Sequence, residues 1–215
     1  MKPPYRVDQV GSLLRPAALL DARDAFAAGR IGQEELRRIQ DEAVIEALQL
    51  QKEVGVDIYT DGEMRRSAWQ TNLMDAVDGF EANYPTREVV GADGVVRVVE
   101  LHTKAVERPL RQKARLAQVD AAFLAQHSPG PFKITIPSPS FIAAFCYRQG
   151  TSEAPYQTQA EPQAALVEII ASELAALVKD GAAYLQLDEG FTRYAVDGWR
   201  DQMKASGLDP EKALE

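Results

Sequence analysis

The clearest pattern in the chain is a stripe of apolar positions at helical spacing over residues 33–54. Leu36, Ile39, Ala43, Ala47, Leu50 and Val54 fall on one face, and Gly55 follows as a natural stop. A second long stripe, carried by Leu166, Ile169, Ile170, Leu174, Leu177 and Val178, predicts a helix over 162–180 that ends at Gly181. A shorter helix, "AALLDARDAFAAG", begins behind Pro16, whose fixed φ suits a first helical turn. Short apolar runs follow the two long helices, "VDIYT" and "AYLQLDEG", and read as strands. "YRVDQVGS" near the start and "PFKITIP" in mid-chain are two further strand candidates.

Elsewhere the pattern predicts helices over "SAWQTNLMDAVDGF" and residues 110–127, and a short one in "SPSFIAAFCYRQG". The polar "TSEAPYQTQAEP" reads as a loop, and "TRYAVDGWRDQMKASG" as a final helix that Gly198 interrupts. Residues 85–105 break the rhythm: two β-branched runs flank Ala92-Asp93-Gly94, a β-hairpin signature. One unit recurs, as "KEVGVDIYTDGE" and "VKDGAAYLQLDEG": long helix, glycine, apolar strand, acidic tip. Alternation of this kind predicts parallel βα units with helices outside and ligands at the carboxyl ends of the strands. The fold class expected is α/β, a TIM-type (β/α)8 barrel. A closed barrel takes about 250 residues, so residues 1–215 are expected to form one incomplete barrel domain. It would have about five βα units, the C-terminal strands missing, and the hairpin at 85–105 as an excursion.

Composition narrows the function classes. A formal charge of −8 argues against coating a nucleic acid duplex. No apolar run is long enough to span a membrane, and "MKPPYRVDQVG" lacks a leader pattern, which points to the cytoplasm. The single cysteine, Cys146, excludes an intrachain disulfide and reads as a small buried apolar residue. With it, His102 and His127 are the only soft metal donors, and their spacing matches no zinc motif. His127, at a helix end, suits a dipole contact.

"VGSLLRP", "DIYTDGEMRRSAW", "KITIPSPS" and "YLQLDEG", in this order and spacing, resemble the cobalamin-independent methionine synthase family, especially its single-barrel members. The resemblance implies a barrel methyltransferase that passes a methyl group from methyltetrahydrofolate, commonly polyglutamylated, to the thiol of homocysteine held by zinc. It also implies that the zinc ligands lie on the last barrel strands, which this sequence does not reach. The expectation is therefore an amino-acid-binding half without activity of its own. Two other enzyme readings stand beside it, a different thiol alkyltransferase and a porphyrinogen-decarboxylase-like barrel. A third is a non-catalytic half-barrel whose exposed sheet edges favour a homo-oligomer or a partner.

Homocysteine is a zwitterion, so its ammonium asks for buried carboxylates and its carboxylate for N–H and hydroxyl donors. By resemblance the carboxylates are Glu63 and Asp188, and Gly11 with Ser12 supplies the donors. Arg15 could meet a substrate carboxylate or pin the acidic second helix. Ser138 and Ser140 could line the pocket or cap a helix. Asp61 is open between a turn role and a site role, and Glu189 reads as a support or helix cap. Trp69 reads as core ahead of a pterin platform. Arg65 and Arg66 read as surface partners of nearby acids.

Overall fold

The computed structural model describes residues 8–81, 86–90, 96–100 and 104–189, with the helical positions Asp201 and Lys204. Helix α1 (Ala17–Ala27) starts behind Pro16, which occupies the N-cap rather than the first turn. Its carbonyl accepts from the Leu19 and Leu20 amides at 3.0 and 3.2 Å. Helix α2 (Gln33–Val54) has the bounds its stripe predicts, about 33 Å of helix. It stops because Gly55 turns left-handed at φ 76° and donates its N–H to Gln51 O at 3.1 Å.

Beyond α2 the expected strand "VDIYT" is reduced to a single bridge, Tyr59 with Phe132. The next residue, Thr60, finds a side-chain partner instead of a strand. Buried Gln51 accepts from Thr60 N at 2.9 Å and donates to Thr60 O at 2.9 Å, so one amide satisfies both backbone groups. The helix expected over 67–80 is also shorter. Helix α3 covers Thr71–Ala76, and the chain then becomes strand β1 (Val77–Glu81).

Strands β2 (Thr86–Val90) and β3 (Val96–Glu100) pair antiparallel with Val90 opposite Val96. This is the expected hairpin; its Ala92-Asp93-Gly94 turn lies outside the described residues, as does His102. Strand β4 (Ala105–Gln112) pairs antiparallel with β1 and takes the first residues of the helix expected over 110–127. Arg111 and Gln112 pair with Asp78 and Val77 of β1, so helix α4 begins only at Gln118 and runs to His127.

Strand β5 (Lys133–Pro137) is buried throughout and pairs in parallel with β6 (Tyr184–Asp188), Lys133 opposite Tyr184 and Pro137 opposite Asp188. Between them run α5 (Pro139–Cys146) and α6 (Ala160–Lys179). The core lies where α2, α4, α5 and α6 meet β5, with Val44, Leu124, Ile134, Ile136, Leu166 and Leu177 nearly inaccessible. The chain is thus of the α/β class. Its N-terminal strand is not formed over 8–12, and residues 5–7 lie outside the described residues. The final helix is described only at Asp201 and Lys204. Among the described residues no helix is long and apolar enough to cross a membrane.

Candidate functional site: a cleft at the carboxyl ends of the parallel strands

The two acidic tips arrive on either side of β5. Tyr59 pairs with one flank of that strand and β6 with the other, so the segments that follow them converge. Between them opens a cleft of about 550 Å³, lined by Gly11, Ser12, Glu63, Trp69, Asp188 and Glu189 among others. Gly11, Ser12, Glu63 and Asp188 are therefore in one place.

The turn that presents Glu63 is unusual. Gly62 and Glu63 are both left-handed, at φ 62° and 57°, and Glu63 is the only non-glycine with positive φ among the described residues. Local bonds hold it there: Thr60 Oγ1 accepts from Gly62 N and Asp61 Oδ1 from Glu63 N, each at 3.1 Å. Asp61 thus makes the turn, although it is buried. Gly62 cannot be replaced freely, because a Cβ there would crowd Leu13 at 3.2 Å.

Two arginines grip the same turn from outside. Arg15 Nη2 donates to Glu63 O and Arg66 O at 3.2 Å each, and Arg23 Nη2 to Met64 O at 2.8 Å. Arg15 thus clamps the backbone of this turn, a role different from the two expected of it. Ser138 caps α5, accepting from Phe141 N at 3.1 Å, and it donates to Glu189, which also accepts from Ser140 at 2.6 Å. It supports the cleft from behind. Trp69 is half-buried, lining the cleft while packing on Phe141 with ring centroids 4.9 Å apart.

The arginines of "MRR" do not face outward as expected. Arg66 is buried, with Nη1 3.1 Å from Thr135 Oγ1 and 3.5 Å from Glu63 Oε1, and Nη2 3.0 Å from Thr135 O. Arg65 pairs with Asp41 at 2.6 Å and Asp120 at 3.2 Å and lies over the Phe123 ring. Charge burial here depends on partners far along the chain, which local reading does not supply.

Burial pushes the Glu63 carboxyl above the ordinary range. Arg66 opposes this, Asp61 adds to it, a Ser12 hydrogen bond opposes it, and Asp188 adds to it. Burial likewise raises Asp188, against a hydrogen bond from Gln186 and the charges of Arg66 and Lys133. Glu63 Oε2 is buried without a hydrogen-bond partner. A pair of desolvated carboxylates with an unused oxygen is suited to receive a cation that brings its own N–H donors.

Zinc, implied by the resemblance, asks for thiolate, imidazole and carboxylate donors around one point. Among the described residues no cluster of three such side chains is arranged to hold a metal. Cys146 lies in the core with its thiol pushed up to about 12 by burial, and His127 ends α4, its ring 4.2 Å from Phe123. These donors do not fit the ion.

The chain is similar in sequence and in fold to known proteins. A Bacillus subtilis protein, YxjH, is 32% identical over 98% of this chain and 55% of its own length. The methionine synthase of Sulfurisphaera tokodaii is 29% identical over 84% of this chain and 50% of its own. A solved structure titled as a putative vitamin-B12-independent methionine synthase from Listeria monocytogenes superposes with TM-score 0.64. It is 29% identical, over 87% of this chain and 56% of that one. A Shewanella B12-independent methionine synthase, solved with selenomethionine, shares the fold at TM-score 0.61 and 22% identity. There the match takes 82% of this chain and 48% of that one. The chain spans about half the length of the curated relatives it matches. Residues 7–206 match the family described as cobalamin-independent synthase, catalytic domain, and the chain belongs to that family.

Proposed function

We propose that the cleft binds the amino-acid end of homocysteine, the methyl acceptor of a methyltransferase in methionine biosynthesis. The ammonium sits between Glu63 and Asp188 and takes over the place of the Ser12 hydrogen bond to Glu63. This frees the Ser12 hydroxyl to meet the substrate carboxylate beside Gly11 N–H. The observation that carries this reading is the convergence of these four residues on one cleft with Glu63 Oε2 buried and unpartnered. An ammonium supplies the missing donors, whereas a second carboxylate would meet repulsion from both tips. That distinction also weakens the porphyrinogen-decarboxylase-like reading, because Arg15, Arg65 and Arg66 are already engaged by protein groups.

On this reading the fold is part of a TIM-type barrel, and methyltetrahydrofolate is the methyl donor. The family's zinc makes the homocysteine thiol a thiolate when bound. Because Cys146 and His127 do not fit that role, this chain by itself binds the amino acid without methylating it. Calorimetric titration with reduced L-homocysteine tests the reading. Glu63→Gln and Asp188→Asn should each weaken binding by about tenfold or more, as loss of a charge-assisted bond does. Binding indifferent to both substitutions refutes the assignment. Tight zinc together with homocysteine methylation by the purified chain would refute the proposed lack of turnover.

A further inference from the structure

Lys133 is the largest fully buried side chain among the described residues, and it opens the strand on which the two tips converge. A buried ammonium is costly unless each of its three N–H groups is matched. Here Nζ donates to Asp8 Oδ2 at 2.7 Å, to Gln9 O, and to Gln186 Oε1 at 2.8 Å. Three donors meet three acceptors drawn from two segments, the stretch that leads to Gly11–Ser12 and the strand that ends at Asp188.

The contact with Gln186 has a further consequence. An ammonium can only donate, so it fixes the Gln186 amide with its oxygen toward Lys133. The NH₂ group must then point the other way. It donates to Val10 O at 2.7 Å and to Asp188 Oδ1 at 2.5 Å. A flipped amide would set NH₂ against an ammonium and its oxygen against two acceptors. Only one orientation is viable, and it binds the cleft's two walls to each other. Asp188 keeps one oxygen committed to the amide and the other for the cleft it lines.

We propose that Lys133 and Gln186 are positioning residues that preset the polarity of the cleft, holding Val10–Ser12 as the donor wall and Asp188 as the acceptor wall. The relay makes the site select a zwitterion over a plain carboxylate. It rests on the reading of the cleft as an amino-acid site, and it adds the residues that set the selectivity.

Gln186→Leu removes the relay while leaving Glu63, Asp188 and Ser12 in place; Lys133→Met removes its source. Two measurements apply. The first needs no ligand: carbon-detected NMR titration of the Asp188 carboxyl, which faces Gln186, Lys133, Arg66 and Glu63. Gln186→Leu should move its midpoint upward, because the N–H that favours the charged form is lost. The second compares binding of L-methionine with its des-amino analogue, 4-(methylthio)butanoate. The native protein should prefer the amino acid, and Gln186→Leu should reduce that preference about tenfold. Its thermal midpoint should be lowered by the Lys133 N–H it leaves unmatched, with the protein still folded at the binding temperature. An unmoved Asp188 midpoint, or an unmoved preference, overturns the relay. A native protein with no preference refutes the amino-acid reading instead, and the Asp188 midpoint still decides the relay. Should Lys133→Met fail to fold, Gln186→Leu carries both measurements alone.

Discussion

Arg66 Nη1 lies 3.5 Å from Glu63 Oε1, and neither side chain is more than 4% exposed. The guanidinium spends its closer contacts on Thr135, so the pair is loose and Glu63 is only partly neutralised. That leaves Glu63 Oε2 buried without a hydrogen-bond partner, at the cost of native stability. Arg66→Met should therefore destabilise the fold by about 3–5 kcal/mol, the usual consequence of stranding one member of a buried ion pair. Adding Glu63→Gln removes the stranded charge, and the double variant should recover roughly 1 kcal/mol or more relative to additivity. Urea unfolding of the four proteins in the cycle measures this. Strictly additive losses would mean the two charges do not interact.

Gly79 marks where β1 bulges against β4. Register is lost between Asp78 and Phe80, and Gly79 takes φ 105°. A Cβ there would stand 2.7 Å from Arg108 O and 2.9 Å from Pro109 O, both backbone atoms that cannot swing away. Gly150 also has positive φ, at 85°, but a Cβ on it meets nothing within 4 Å. Gly150→Ala should cost about 1 kcal/mol from backbone strain alone, and Gly79→Ala about 3 kcal/mol or more from strain and collision together. Thermal melts of the two variants separate these cases, and equal losses would contradict the assigned bulge.

The parts of this fold that could be read from the chain are those whose cause is local. Helices α2 and α6 each bury one stripe, and Gly55 and Gly181, at φ 76° and 94°, stand just past their ends. Glu63 and Asp188 come from the family resemblance, and the helix–glycine–strand–acid unit that occurs twice puts each at a strand tip. Strands β1 and β4 were missed because each takes its conformation from pairing with the other, which no local period announces. The burial of Arg66 and Lys133 was equally invisible. Arg66 depends on Thr135, and Lys133 on Asp8 and Gln186, all distant in sequence. Of the cleft lining, Gly11, Ser12, Glu63 and Asp188 were legible, whereas Gln186, whose contacts run to Val10 and Lys133, was not.

Glu173 shows the same dependence on a remote partner. It sits on α6, buried, and accepts from Arg115 Nε at 2.6 Å and from Ala117 N, the N-cap of α4, at 3.3 Å. One carboxylate thus joins two helices and satisfies an amide at the start of α4. Glu173→Ala should cost about 3 kcal/mol, combining a broken buried pair with a lost cap. Glu173→Gln keeps the acceptor for the amide and should cost distinctly less. Chemical denaturation ranks them, and an inverted order would remove the capping role.

Asp120 links the turn to stability as a function of pH. Its carboxyl is buried beside Arg65 and Arg66 on one side and Asp61 on the other, and burial pushes it up to about 6 from 3.8. Between those values the folded protein holds a proton that the unfolded chain has released. Stability therefore falls as pH rises through this window, and the penalty is absent below the lower value and complete above the upper one. Burial shifts Glu63 and Asp188 in the same direction, so all three act together. Asp120→Asn has no proton to lose, and only its own share of the slope should vanish. Measured by urea unfolding from about pH 4 to about pH 7, the native protein should lose stability relative to Asp120→Asn up to about pH 6 and run parallel above. A stability difference that stays constant, or that grows in favour of the native protein as pH rises, would show that Arg65 keeps Asp120 ionised throughout.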